Sequence, residues 1–159
     1  MRKKKIVIVG AGYVGITISI IFSGNNNIIL YDIDNTKVDL MKSGSSPIND
    51  EDMCEFFKSI KNDSCYTITS DSNGIFEKAD YVVIAIPTNW NQDNHSLDVT
   101  TLCGVFEQIK RENKSPIIII KSTLPLGTMD YLGYQYNSLS IFYVPEFLRE
   151  GSAVKDEKN

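Results

Sequence analysis

KIVIVGAGYVG, residues 5–15, decides the fold of this chain. A run of β-branched apolar residues ends in G-x-G-x-x-G, and the residues beyond it carry a helical pattern as far as Gly24. A strand that turns through such a motif into a helix is the start of a dinucleotide-binding βαβ unit. Gly10 lets the chain turn sharply, Gly12 removes a side chain where a pyrophosphate approaches, and Gly15 lets the helix lie close to the sheet. The helix N-terminus presents amides and a positive dipole end to the phosphates. The motif's second half is an acid about 20 residues on, at the end of the next strand. Asp32, in LYDID, meets that requirement. Its carboxylate accepts ribose hydroxyls and repels a 2′-phosphate, which selects NAD over NADP. Lys37 faces the adenosine side or is a helix-surface charge, and Asp34 or Asn35 caps the helix that follows.

The same alternation continues outward. Short apolar runs at Lys5–Val9, 28–31, Tyr66–Thr69, 81–86, 116–120 and 141–144 read as strands. Uninterrupted β-branched character suits strands buried on both faces of a parallel sheet. Helical patterns occupy 12–23, 36–42, 51–61, 99–111 and 127–136, with Gly24 and Gly44 as C-terminal stops and Asp98 as an N-cap. The expected fold is α/β, a doubly wound, mostly parallel Rossmann-type sheet with helices on both faces, in a single domain over residues 1–159. Only the last residues, KDEKN, read as a frayed tail.

Composition narrows the function. The 159 residues are 42% hydrophobic and 23% charged, with a net charge of −4. Acids and bases are interspersed, so there is no basic stripe for nucleic acid. Glycines break the apolar run after the N-terminal basic residues, so it reads neither as a secretory signal nor as a membrane span, and a cytoplasmic protein is expected. Cys54, Cys65 and Cys103 have no metal-ligand spacing, and no metal site is expected. Cys54 and Cys103 read as small core residues. His95, the only histidine, sits in a polar loop with no acid-base partner nearby.

In doubly wound sheets ligands lie outside the carboxyl ends of the strands. Three expected strands deliver polar motifs there: Pro87-Thr88, Lys121-Ser122-Thr123, and Pro145-Glu146-Phe147-Leu148-Arg149-Glu150. Taken singly, each is also an ordinary turn. Glu146, Arg149 and Glu150 alone would read as a helix-start surface triplet.

Read in order, GAGYVG, YDID with its SGSSPIND continuation, IPTNW, KSTLPLGT and PEFLREGSAVKD resemble the N-terminal NAD-binding domain of the UDP-glucose/GDP-mannose dehydrogenase family. The short Asn-rich loop after Thr88 is most similar to the compact bacterial UDP-glucose 6-dehydrogenases. The resemblance implies a two-step, four-electron oxidation of the sugar C6 alcohol to the acid, through a cysteine-bound thioester. It implies that Gly10, Gly12, Tyr13, Val14, Gly15, Asp32, Lys37, Thr88, Thr123 and Glu150 contact NAD. Thr123 would also help to hold a catalytic water. Glu146, Phe147, Leu148, Arg149 and Glu150 would line the nucleotide sugar, with Glu150 as general base for thioester hydrolysis. The family's central helix, second domain and nucleophilic cysteine have no counterpart in these residues. The resemblance thus implies a chain that stops in mid-site, binds NAD and does not turn over alone. UDP-glucose is the expected sugar, with GDP-mannose or a UDP-N-acetylhexosamine as the alternative, and a non-catalytic NAD-binding module as the reading from another class. The surface meant for the missing domain would promote self-association.

Overall fold

The structure is a computed structural model, and it describes residues 2–92, 96–113 and 115–145. Among the described residues eight strands follow in chain order: β1 (Lys5–Val9), β2 (Asn27–Tyr31), β3 (Tyr66–Thr69), β4 (Tyr81–Ile84), β5 (Trp90–Asn91), β6 (Ser96–Leu97), β7 (Ile117–Ile120) and β8 (Ser140–Tyr143). Five helices lie between them: α1 (Tyr13–Ser23), α2 (Asn35–Lys42), α3 (Glu51–Ser59), α4 (Thr100–Glu112) and α5 (Thr128–Gln135). Six strands form one sheet in the order β3-β2-β1-β4-β7-β8. Every pairing in it is parallel. The order reverses between β1 and β4, which is the switch point where such sheets hold ligands. Val9 pairs with both Tyr31 and Ile84, so the exits of β1, β2 and β4 lie side by side.

Period-two alternation along the strands divides the core. Val7, Val9, Val82, Ile84, Ile118 and Ile120 pack with Leu102, Phe106 and Ile109 of α4 and Leu132 of α5. Ile6, Ile8, Ile28, Leu30 and Val83 face the other way, with Ile16 of α1, Val38 and Met41 of α2, and Met53 and Phe57 of α3. Burying each large apolar side chain contributes roughly 1.5–3 kcal/mol. These two layers fix the sheet that carries the cleft.

The expected elements all form, with shifted ends. β4 stops at Ile84 and not at residue 86. β7 starts at Ile117, β8 is shifted one residue earlier, to Ser140–Tyr143, and α3 closes at Ser59. Val99, not Asp98, is the N-cap of α4, and the Asp98 carboxylate accepts the Thr100 amide from one position further out. Asp34 caps α2, accepting from the Thr36 and Lys37 amides. Gly24 is the C-cap of α1 in a right-handed conformation. Gly44 takes φ +91° and closes α2, with its own amide on the Met41 carbonyl and the Ser45 amide on Leu40. The antiparallel pair β5–β6 has no counterpart in the sequence reading. Among the described residues no helix is long and apolar enough to cross a membrane.

Candidate functional site: a cleft at the switch point

The three motif glycines have different physical roles. Gly10 has φ +104°, and its amide donates to the Tyr31 carbonyl at 2.8 Å. A Cβ there would run into the Ala85 carbonyl oxygen, and one on Gly15 would run into the carbonyl of Gly10. Both positions exclude side chains so that β1, β4 and α1 can close on one another. Gly12 is the opposite case. A Cβ on it would meet nothing within 4 Å. The bare backbone there faces open space at the N-terminus of α1, whose first turn has no acidic residue and no side-chain cap. That is a cradle for an anion's close approach.

Asp32 leaves the end of β2 and is 8% exposed. Oδ2 accepts the Ala11 amide at 2.7 Å, and Oδ1 accepts the Asp34 amide at 2.9 Å. The Lys37 Nζ lies 3.9 Å from Oδ2. A carboxylate has about four lone-pair sites, so acceptor capacity remains for ribose hydroxyls. Lys37 therefore stands beside the expected ribose acid and on the rim of the cleft, while its backbone serves the α2 cap.

Across the switch point the exits of β4 and β7 are tied together. The Thr88 hydroxyl donates to the Thr123 carbonyl at 2.8 Å, and the Ser122 hydroxyl donates to the Ile86 carbonyl at 2.7 Å. A cleft of about 660 Å³ opens between these exits and the glycine turn. Gly10, Gly12, Tyr13, Val14, Asp32, Lys37, Thr88 and Thr123 line it, together with Lys121 and Ser122. Gly15 lies behind, at the packing contact. An adjoining cleft of about 480 Å³ shares Gly10, Asp32, Lys37, Ile86 and Pro87 and adds the apolar Ile33 and Val105. Two adjoining clefts that share these residues, crossing a bare glycine backbone, fit a dinucleotide.

A larger cleft, about 820 Å³, opens at the opposite ends of the strands and is rich in lysine. Four of its five cations are already engaged. Arg2 and Lys4 pair with Asp80, Lys5 Nζ donates to the Glu77 carbonyl, and Lys3 Nζ lies 3.1 Å from the Cys65 sulfur. The Lys5 amide, then the Lys4 ammonium and Arg2, hold the Asp80 carboxyl below its usual range. This end carries a structural charge cluster.

The three cysteines are unpaired and partly buried, and none lines the switch-point cleft. Burial pushes the Cys103 thiol up, which suits a packing role over a nucleophilic one. No group of three or more acidic, His or Cys ligands is arranged for a metal among the described residues. The expectations for Glu146, Phe147, Leu148, Arg149 and Glu150, for His95 and for the KDEKN tail fall on residues outside the described ones. Sequence reasoning missed the Asp32–Ala11 bond, the Ser122 tie, the 83% exposed Ile33 in the adjoining cleft, and a bond from Tyr13 to Asp50. Only Ile33 had a signal, its place directly after the motif acid.

Known proteins agree with this geometry. Residues 4–159 match the UDP-glucose/GDP-mannose dehydrogenase family, NAD binding domain. A UDP-glucose 6-dehydrogenase of Campylobacter jejuni is 40% identical over 154 residues, covering 96% of this chain and 39% of that relative. The Bacillus subtilis UDP-glucose 6-dehydrogenase TuaD is 30% identical over 165 residues, covering 98% of this chain and 36% of its own length. A ternary complex of GDP-mannose dehydrogenase from Pseudomonas aeruginosa superposes with a TM-score of 0.84 at 26% identity, covering 96% of this chain and 38% of that one. The chain thus spans well under half the length of the curated relatives it matches. The glycine turn, the acid after β2 and this match make one conclusion: the chain belongs to the UDP-glucose/GDP-mannose dehydrogenase family, and residues 4–159 are its NAD-binding domain.

Proposed function

We propose that this chain is the NAD-binding part of a nucleotide-sugar 6-dehydrogenase whose sugar is UDP-glucose. The observation that carries the reading is the switch-point cleft, where Gly12, Asp32, Thr88 and Thr123 line one groove. NAD, when bound, takes up the hydride removed from the alcohol carbon. Gly12 and the N-terminus of α1 would hold the pyrophosphate, Asp32 and Lys37 the adenosine ribose, and Tyr13 and Val14 the wall beside them. Thr88 and Thr123 would stand toward the reacting end, with Thr123 positioning a water. Glu146, Phe147, Leu148 and Arg149 would line the sugar nucleotide, and Glu150 would act as general base and reach the cofactor. Orientation of two reactants is worth about 7–11 kcal/mol, and these 159 residues span only part of what the relatives devote to it. The chain alone is therefore expected to bind NAD without sustained turnover.

The experiment is a chimera in which these residues replace the matching part of the Campylobacter relative. NADH formation with UDP-glucose is the expected result. A folded chimera that binds NAD and forms no NADH with UDP-glucose would contradict the reading and favour a non-catalytic module. NADH formation with GDP-mannose alone would move the assignment to the other sugar. Phe142, 55% exposed, with Tyr143 and Val144 on the edge of the sheet, supports self-association of the isolated chain. A concentration-independent monomer in sedimentation would contradict that.

A further inference from the structure

Tyr13 is the one large side chain inside the glycine motif. It begins α1, lines the cleft, and packs its ring against the α1–α3 face of the core. Its hydroxyl donates to Asp50 Oδ2 at 2.8 Å, across 37 positions of sequence. Asp50 itself lies outside the cleft and is 6% exposed. It is fixed from several sides. Oδ1 accepts the Met53 amide at 3.1 Å as the N-cap of α3, its own amide donates to Ile48, and its carbonyl accepts from Cys54.

We propose that Asp50 is a positioning residue for the dinucleotide site, clamping Tyr13 so that its ring forms a preset wall of the cleft. The inference rests on the NAD reading above. A tyrosine at the first position of a helix, with one face on the cleft, has other rotamers open to it. The bond to a buried, backbone-locked carboxylate selects one of them. A charge-assisted hydrogen bond in a site of low solvent access is stronger than one in water. Holding a wall in its bound position removes an ordering cost that binding would otherwise carry. The bond also joins the glycine turn to α3, an element that contributes no residue to the cleft lining.

Two substitutions separate the clamp from stability. Tyr13→Phe keeps the ring and the α3 cap and removes the hydroxyl that makes the bond. Asp50→Ser keeps a favoured N-cap residue but is too short to reach the phenol. The experiment is calorimetric titration of the parent chain, Y13F, D50S and the double variant with NAD, beside their thermal unfolding. Each single variant is expected to bind NAD roughly threefold to tenfold more weakly. The double variant should be no weaker than the weaker single one, and the Tm of Y13F should stay close to the parent's. Parent-like NAD affinity in Y13F overturns the clamp even if D50S fails to fold. So do losses that multiply in the double variant, because independent effects add in free energy. A parent chain that binds no NAD overturns the cofactor reading, and the clamp with it.

Discussion

Asp32 Oδ2 accepts the Ala11 amide at 2.7 Å, so the acid placed to read a ribose also holds the glycine turn in shape. Its other oxygen holds the Asp34 amide. Hydrogen bonds to a charged group contribute about 1.5–3 kcal/mol. Asp32→Ala is expected to lower unfolding free energy by about that amount in urea denaturation, and to abolish NAD binding. A variant as stable as the parent would show that the turn does not depend on the carboxylate.

On one side of the switch point, the exits of β4 and β7 meet through Thr88 and Thr123. Thr88→Val keeps the shape and removes the donor. Because the bond is exposed, the expected stability loss is small, about 0.5–1 kcal/mol. The larger effect should be on the cleft, with weaker NAD binding in a titration. Unchanged affinity would place Thr88 outside the cofactor's reach.

Gly12 and Gly15 predict opposite outcomes for the same substitution. Gly15→Ala drives a methyl into the backbone carbonyl of Gly10, which cannot swing aside as the end of a side chain could. The cost is expected to be about 3 kcal/mol or more, read as a large fall in Tm or loss of soluble protein. Gly12→Ala meets no atom of the protein, and its φ of −88° is open to alanine. It should fold like the parent and bind NAD at least about tenfold more weakly, because the methyl occupies the phosphate's place. Similar behaviour of the two variants would contradict the division of roles.

Acid should weaken the fold through Asp80. The Lys5 amide, the Lys4 ammonium and Arg2 depress its pKa in the folded state. Between the folded and unfolded values the unfolded chain binds more protons, so stability rises with pH through that window. The contribution is fully present above the unfolded value and is lost as pH falls through the lower folded one. Asp80→Asn should lose less stability than the parent on acidification below about pH 4. Parallel stability curves for the two proteins would exclude Asp80 as the source.

How much of this was legible follows from how local each feature is. Gly10, Gly12, Gly15 and Asp32 sit at fixed spacings set by one βαβ unit, so the cofactor half of the site could be read directly. The α2 exit was legible too, because Gly44 must take the left-handed conformation that glycine allows. β5 and β6 escaped notice because two-residue strands have no periodicity to detect. The end of β4 was overrun because Ala85 and Ile86 continue an apolar run after the ladder pairing has ended at Ile84. The Thr88–Thr123, Ser122–Ile86 and Tyr13–Asp50 bonds join residues 35 to 37 positions apart, and nothing local encodes such partners. The sugar-side reading rests on Glu146 to Glu150, residues known here from sequence alone.

The central claim is that the glycine turn and Asp32 make a working NAD site within these residues, and calorimetric titration of the purified chain with NAD and with NADP tests it most directly. Saturable one-site NAD binding is expected, with NADP much weaker because its 2′-phosphate would meet the Asp32 carboxylate. A chain that is folded by circular dichroism and binds neither, or binds NADP as tightly as NAD, would contradict it.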